Sequence, residues 1–439
     1  MKKFSRFDIK RTLVVFILLA ILVFSFSGCS LIKGDKLASP DNAHAFTRRE
    51  KLDENFSKSV ENFASNLTYA TYKKFGGDNF TISPVSVYMA LALASACADG
   101  NTKLEILSAL GTDYDTLCNF AGILYRNINI VNNVTDDYGK KKEQGEVKFT
   151  NSIWVDNDFS PNMSTMEELA KDFYCYFFAT DFASEKGSNA IRNFVKEQTN
   201  GKIDQPFKFS PQTIFALVNT LYLKDVWNEY GNDLMMTNKA YEFKGATTKK
   251  EKFLQSYYIL GKAYQGEDFA SFYTRTENGY KIKFILPNEG VKVEDVFTAE
   301  KISEANAVSN YQGIDEEQRI EYYTRCLFPE FSAKFDNDLI KVLRESFGIN
   351  DLFNPDTCDL SKISNVPAYA DQVKHVAKLD VTKEGIEGAA VTIISNKATS
   401  PAPRPYEKVY QDFLIDRPFG FILTDVYGTT LFSGVIKNV

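Results

Sequence analysis

The hydrophobic pattern changes from helical spacing in the first half of the chain to strand spacing near its end. Apolar side chains three and four positions apart predict an amphipathic helix over about 51–75, which Gly76 and Gly77 terminate. Ser83 and Pro84 form a helix start, and the nearly all-apolar segment after them predicts a buried helix to Ala98. Further helices are predicted over 103–110, about 161–173, 189–198 and 337–347.

Two of these helices have recognisable starts. Thr102 followed by Glu105 has the spacing of a capping box, and Gly111 lies where a left-handed residue would end the same helix. Ser160 and Pro161 have the pattern of a cap with proline in the first turn, which predicts the start of the helix that runs to residue 173.

Strand patterns alternate with these helices and then dominate the last part of the chain. Residues 213–223 are almost continuously apolar, which predicts a strand buried on both faces of a sheet. Other strands are predicted over 147–155, 280–286, 376–381, 419–426 and 430–436, the last two as a hairpin. Since no repeat or long linker divides residues 51–439, we expect a single α+β domain.

The first 28 residues have the pattern of an export signal. Five basic side chains precede residue 12, and an uncharged run from Thr12 to Phe26 follows them. This run is shorter than the roughly 20 residues that a membrane-spanning helix needs. An uncleaved anchor is the alternative interpretation. Both interpretations place the body outside the cytoplasm, because the basic flank stays inside.

Ser27, Gly28 and Cys29 resemble a bacterial lipobox, in which the cysteine becomes the lipidated N-terminus of the mature protein. The resemblance implies attachment to the cell membrane or cell surface, with secretion as the alternative. Residues 29–50 are polar and contain Gly34 and Pro40, so we expect a flexible, lipidated tether there.

Composition narrows the chemistry of the body. The chain has 439 residues, a net charge of -6 and two histidines, His44 and His375. The acidic charge argues against a nucleic-acid partner, which needs a basic surface. Two histidines leave few ways to build a metal site or a histidine-based triad. The cysteines other than Cys29 lie at wide, irregular spacing, which predicts neither a disulfide framework nor a zinc site.

Motifs of known enzyme sites are absent from the sequence. It has no Gly-x-Ser-x-Gly elbow, no Walker loop, no His-Glu-x-x-His and no dinucleotide fingerprint. His375 lies at the start of a predicted strand, where a hydrogen-bonded structural role is more common than that of a base. We therefore expect no enzyme and no cofactor. A hydrolase that uses His375 is an alternative hypothesis, which the absence of any nucleophile motif disfavours.

Ordered sequence blocks cover the body from about residue 55 to the C-terminus. They include NFTISPVS at 79–86, NTKLE at 101–105, NSIW at 151–154, TNGKI at 199–203, LVNTLYLK at 217–224, PEF at 329–331, RPF at 417–419 and LFSG at 431–434. Together they resemble the serpins, the serine protease inhibitor family. The resemblance implies three β-sheets, about eight or nine helices, a monomer and an exposed reactive-centre loop over about 385–416.

Two functional hypotheses follow from this resemblance. In inhibitory serpins a protease cleaves the loop and forms an acyl-enzyme. The loop then inserts into the central sheet as a new strand and distorts the protease before the acyl bond is hydrolysed. The first hypothesis is therefore an irreversible inhibitor of serine or cysteine proteases. The second is a non-inhibitory serpin that acts as a binding or chaperone-like protein.

The loop has the composition that insertion requires. The resemblance assigns the hinge to Glu384, Gly385, Ile386, Glu387, Gly388, Ala389 and Ala390. The alternating set that would face the core carries neither charge nor proline, and it consists of Ile386, Gly388, Ala390, Thr392 and Ile394. The family's spacing from Gly385 places the cleaved bond at Thr399 and Ser400, with Lys397 and Ala398 as the alternative.

The resemblance also assigns a polar cluster beneath the central sheet and an aromatic residue at the sheet's upper opening. The cluster would hold and release strand pairing through hydrogen bonds rather than catalyse a reaction. Its members are Ser83, Ser86, Asn219 and His375, and the aromatic residue is Trp227.

Overall fold

The computed structural model describes residues 34–43, 46–130, 145–210, 212–227, 234–308, 311–386 and 406–439. These residues form three β-sheets and nine α-helices, which confirms the predicted α+β fold class and the number of sheets. Among them, no helix combines the length and the apolar character that crossing a membrane requires.

The described helices lie between residues 54 and 347, and a 3₁₀ turn follows the last of them at Asp351–Phe353. Their bounds are α1 Glu54–Phe75, α2 Pro84–Cys97, α3 Gly100–Leu110, α4 Tyr114–Ile128, α5 Met163–Asp172, α6 Glu185–Gln198, α7 Val293–Val296, α8 Ala299–Ala307 and α9 Ile340–Phe347.

The largest sheet, sheet A, has seven strands. In spatial order they are β1 (Asp35–Ala38), β4 (Cys175–Thr180), β3 (Glu146–Asp156), β5 (Phe215–Val226), β16 (Gly385–Ile386), β15 (Lys374–Val381) and β14 (Phe331–Asp338).

Two smaller sheets complete the fold. Sheet B contains, in spatial order, β2 (Phe80–Ile82), β19 (Thr430–Ile436), β18 (Phe419–Thr424), β11 (Lys281–Pro287), β10 (Phe269–Arg275) and β9 (Tyr264–Gln265). Sheet C contains β12 (Ile314–Asp315), β13 (Ile320–Phe328), β7 (Thr248–Gln255) and β6 (Met235–Lys244). Two more strands, β8 (Ile259–Leu260) and β17 (Glu407–Leu414), also pair with β13.

The core lies between α2 and the sheets. All residues of α2 except Ala90 are buried, as the apolar pattern after Ser83 predicts. The opposite face of sheet A is covered by α6, whose Phe194 packs with Trp154 and Phe178 in a second buried cluster. Sheet A is therefore enclosed on both faces, by α2 on one side and by α6 on the other.

The predicted capping box at the start of α3 is wrong. Helix α3 begins one residue after Asp99, whose carboxylate accepts the next backbone N–H at 3.0 Å. The Thr102 hydroxyl instead accepts the backbone N–H of Asp359 at 2.9 Å. The Glu105 carboxylate accepts the N–H of Asn350 at 2.7 Å. Both side chains thus tie α3 to the segment after α9, a tertiary contact that local spacing does not reveal.

Two other predicted helix starts are also wrong. Helix α5 is capped by Asn162, whose side chain accepts the first backbone N–H groups of the helix, and not by Ser160 and Pro161. Residues 337 and 338 end β14 rather than begin a helix, and α9 starts at Ile340. The alternate burial of β14, which the sequence analysis did not recognise, explains the second difference.

The prediction of a flexible tether over 29–50 is wrong for the residues of this segment that the structure describes. Strand β1 pairs with β4 and adds an outer strand to sheet A. Phe46 packs edge-on against Tyr125, with ring centroids 6.4 Å apart. The Glu50 carboxylate accepts a hydrogen bond from Arg126 at 2.6 Å. The segment lies against the body because the open edge of β4 and the aromatic side chains nearby offer it partners.

Candidate functional site

The centre of sheet A contains a strand position that is only partly filled. Strand β5 spans 12 residues and β15 spans 8, but β16 between them spans only 2. Gly385 pairs with Val226, and Ile386 pairs with Asp225. On the other side Ile386 pairs with Val381. Within the described residues β5 and β15 form no ladder with each other, so their facing edges present a site for a longer strand.

The middle of β5 is less buried than its sequence predicts. Leu217, Val218 and Asn219 are partly exposed, although continuous apolar character predicted burial on both faces. A narrow cleft lies there, lined by Leu217 and Asn219 of β5, His375 of β15 and Ser86 of α2. The prediction of complete burial is wrong at these positions because β5 lacks a full-length neighbour on this side.

A tight turn leads from β15 into β16. The N–H of Thr382 donates to the carbonyl oxygen of Gly385 at 2.9 Å, and the reverse bond measures 3.3 Å. Buried Trp227, just after β5, donates its indole N–H to the carbonyl oxygen of Thr382 at 2.7 Å. The N–H of Leu234 donates to the carbonyl oxygen of Lys383 at 2.7 Å. The turn is therefore held from both sides at the end of the partly filled position.

The described hinge residues differ sharply in environment. Gly385 has a φ of 153°, and a Cβ there would overlap the carbonyl oxygen of Asp225, so glycine is required. Ile386 is fully buried in the main core. Glu384 is exposed, and a hydrogen bond from Thr382 holds the pKa of its carboxyl below the usual range. The other predicted hinge residues, Glu387, Gly388, Ala389 and Ala390, lie outside the described residues.

A buried carboxyl group, which the sequence analysis did not identify, lies directly behind the hinge. The side chain of Asp225 accepts hydrogen bonds from the backbone and the amide group of Asn278, at 3.1 and 2.7 Å. Burial raises the pKa of Asp225 to about 6, although these bonds oppose the shift. Asp225 thus fixes the end of β5 to the turn between β10 and β11.

Three of the four residues predicted as a polar cluster meet at the N-terminus of α2. The backbone N–H of Ser83 donates to Nε2 of His375 at 3.1 Å, and the hydroxyl groups of Ser83 and Ser86 lie 2.8 Å apart. Asn219 lines the same cleft, but its amide group donates to Asn151 of β3 at 2.7 Å. Among the described residues, Oδ1 of Asn219 is buried without a hydrogen-bond partner.

His375 has the properties of a neutral hydrogen-bond acceptor. It is 7% exposed, and burial lowers its pKa to about 4. Because Nε2 accepts the N–H of Ser83, the proton of the neutral ring lies on Nδ1. The ring is thus poorly suited to act as a base, which needs a pKa near the working pH.

The described residues provide little else that catalysis could use. All five cysteines among them are free, and burial raises the pKa of each thiol. Within this part of the chain no group of three His, Cys, Asp or Glu side chains could hold a metal ion. The predicted lipidation site Cys29 and the residues of both predicted cleavage sites, Lys397, Ala398, Thr399 and Ser400, lie outside the described residues.

Comparison with known proteins identifies one family. The sequence pattern described as Serpin (serine protease inhibitor) matches residues 58–439. Neuroserpin of Homo sapiens is 25% identical over 82% of this chain and 86% of its own. Serpin A3-5 of Bos taurus is 29% identical over 91% of this chain and 93% of its own.

Solved structures agree on the fold. The native state of tengpin, a thermophilic serpin, superposes with a TM-score of 0.71 at 22% identity and covers 92% of this chain and 100% of its own. Serpin48 of the insect Tenebrio molitor superposes with a TM-score of 0.69 at 20% identity, over 89% of this chain and 100% of its own.

We expect the imidazole of His375 to remain neutral down to about pH 5, because protonation would place a charge in a buried site. The imidazole C–H signals in an NMR titration measure this directly, and a His44→Gln variant assigns them because the chain has two histidines. The signal of His375 should shift with a midpoint near pH 4 in the folded protein. In the chain unfolded by urea it should shift near 6.5.

The same difference in pKa predicts a loss of stability in acid. Since the folded protein binds the proton less tightly than the unfolded chain, the contribution of His375 to the free energy of unfolding is complete above pH 6.5. It decreases as the pH falls toward 4. In the NMR titration, a midpoint near pH 6.5 for His375 in the folded protein would contradict a buried, neutral imidazole.

Proposed function

The chain belongs to the serpin family, and we propose that it is an irreversible inhibitor of serine proteases, with cysteine proteases as a second target class. The proposal is supported chiefly by the partly filled strand position between β5 and β15, which the first two residues of the loop already enter. After cleavage by a protease, the part of the loop between Ile386 and the cleaved bond would continue this strand.

The orientation of Ile386 determines which loop residues would face the core. Side chains alternate between the two faces of a strand, and Ile386 is fully buried. If β16 is extended, the residues in phase with Ile386 enter the core, among them Gly388 and Ala390. All residues of this set up to Ile394 are uncharged and none is proline, so none blocks the ladder.

Insertion would release enough free energy to trap a protease. A strand of about ten residues forms about ten backbone hydrogen bonds with each neighbour. At roughly 0.5–1.5 kcal/mol per bond, one such ladder alone contributes on the order of 10 kcal/mol. The acyl bond would link the protease to the inserting loop, so this free energy would pull on the enzyme before hydrolysis frees it. The intact protein would therefore be metastable relative to the form in which the loop is inserted.

A non-inhibitory serpin that acts as a binding or chaperone-like protein is the second candidate function. The small and uncharged core-facing set of the loop favours the inhibitor. We propose cleavage between Thr399 and Ser400, with Lys397 and Ala398 as the alternative bond, which would suit a trypsin-like protease. We further propose that the protein acts as a monomer without a cofactor.

A pair of neighbouring substitutions tests insertion. Ala390→Arg would bury a charge in the extended strand, whereas Ala389→Arg would place the same charge on the opposite face. Each variant and the parent are incubated with trypsin, chymotrypsin, elastase, subtilisin and papain. SDS-resistant complexes are measured on gels, and the cleaved bond is mapped by mass spectrometry. The parent and Ala389→Arg should form the complex, and Ala390→Arg should be cleaved as a substrate with at least a tenfold higher stoichiometry of inhibition.

Two results would count against the proposal. If every protease cleaves the parent loop and remains active, the protein is not an inhibitor of these enzymes, and the binding function is favoured. If Ala390→Arg inhibits as well as the parent does, the loop does not enter the sheet in the phase that Ile386 sets.

We also propose that lipid on Cys29 anchors the protein outside the cytoplasm, on the cell membrane or cell surface. Asp35, the first residue of β1, is the sixth residue after Cys29. Fully extended, six residues span about 20 Å. The anchor would therefore hold the β1 edge of sheet A within about 20 Å of the membrane, much closer than a free tether of 22 residues, 29–50, would allow.

The anchor is tested by Cys29→Ala, which removes the sulfur that carries the lipid. This variant should move from the membrane fraction to the soluble fraction in its native host, while Cys358→Ala should stay with the parent in the membrane fraction. Both are followed by immunoblot after ultracentrifugation. A Cys29→Ala protein that remains in the membrane fraction would support an uncleaved anchor instead.

A further inference from the structure

The outward face of sheet C carries a group of adjacent apolar side chains. Parallel pairing of β13 with β17 places Tyr323 beside Tyr410, and β8 places Leu260 on the other side of Tyr323. Directly paired residues point to the same face of a sheet. Tyr258 extends the group, since its ring lies 5.0 Å from that of Tyr410. We call Leu260, Tyr323, Tyr410 and Tyr258 the tyrosine patch.

The side chains of the tyrosine patch are large and mainly apolar, but three of them are exposed to solvent. Tyr410 is 57% exposed, Leu260 45% and Tyr258 40%. Aromatic contacts hold the rings in place, because Tyr410 stacks on Tyr323 with centroids 5.4 Å apart and packs edge-on against Tyr258. Rigid, exposed tyrosines offer a large contact area at a small entropic cost, which is typical of residues that dominate protein interfaces.

Charged pairs border the patch on both sides along the strands. Glu321 pairs with Lys408 on one side, and Arg325 pairs with Asp412 on the other. The Arg325 guanidinium donates two hydrogen bonds to the Asp412 carboxylate, at 2.7 and 3.3 Å. An aromatic centre with a charged rim is the usual anatomy of a protein–protein interface.

The position of the patch relative to the loop indicates its occupant. Strand β17 begins at Glu407, and Tyr410 is its fourth residue. Glu407 is the seventh residue after Ser400, so at most about 25 Å of fully extended chain joins them. A protease domain of about 200 residues is about 40 Å across. A protease that holds the bond before Ser400 is therefore large enough, and close enough, to reach the patch.

We propose that the tyrosine patch is a docking surface for the target protease, contacted while the loop enters the active site. This inference rests on the proposed inhibitory function. The patch would select among proteases that accept the same loop sequence, because only those with a complementary surface beside the active site would gain its contacts. It would act on the association step, before the bond is cleaved.

The test compares rates of covalent complex formation. The parent is mixed with trypsin, chymotrypsin, elastase and subtilisin, and the second-order rate constant is measured for each enzyme that forms an SDS-resistant complex. For at least one of them, Tyr410→Ala should lower the constant about tenfold, the effect of losing one strong interface residue. Tyr258→Ala should act in the same direction, and Tyr410→Phe should retain most of the parent rate.

A matched control separates the patch from general effects. Tyr427 is 53% exposed but lies in the turn between β18 and β19 of sheet B, so Tyr427→Ala should leave the rate unchanged. A synthetic peptide with the sequence of residues 385–406 contains the loop but not the tyrosine patch. The rate at which the same enzyme cleaves this peptide therefore measures recognition of the loop alone. Thermal unfolding of each variant verifies that exposed tyrosines are removed without loss of the fold.

The possible results separate this inference from the function on which it rests. If the parent forms no complex with any protease, the inhibitory function fails and the docking surface with it. If the parent forms a complex and both alanine variants match its rate with every enzyme, only the docking surface is wrong. A dimer in sedimentation that Tyr410→Ala converts to a monomer would assign the patch to a second copy and overturn the proposal.

Discussion

The pairing of β5 and β15 through a two-residue strand is the constraint on which the rest of the structure depends. Each of these strands is paired over most or all of its outer side, β5 with β3 over 10 residue pairs and β15 with β14 over 8. On their inner sides both strands reach only Gly385 and Ile386. Unpaired strand edges leave backbone hydrogen bonds unmade, so the proposed entry of a longer strand between β5 and β15 would lower the free energy of the sheet.

The polar groups around this position are uncharged or held by hydrogen bonds. His375 is neutral because it is buried, and its acceptor nitrogen is used by the backbone of Ser83. Trp227 holds the turn at Thr382 through one hydrogen bond between uncharged groups. Moving β5 away from β15 would therefore separate no buried ion pair at His375 or at Trp227. Opening the sheet at these two residues would avoid the large electrostatic cost of such a separation.

Features that depend on neighbouring residues could be predicted from the sequence. Contacts between residues far apart in the chain could not. Gly111, predicted as the left-handed residue that ends a helix, has a φ value of 67°. By contrast, the hydrogen bond from Asn219 to Asn151 joins residues 68 positions apart, and no local pattern indicates it. The placement of Phe46 also depends on distant aromatic partners, which the polar character of residues 29–50 does not reveal. The loop's resemblance to serpins indicated insertion, but not that Ile386 is already buried.

The most direct test of the account is the stability of the protein after its loop is cut. A protease that cleaves within 387–405 without forming a complex leaves a nicked chain, whose thermal unfolding is compared with that of the intact protein. If the cut loop inserts between β5 and β15, a gain on the order of 10 kcal/mol should raise the midpoint by about 10 °C or more for a domain of this size. An unchanged or lower midpoint would contradict the claim that sheet A accepts the loop as a strand.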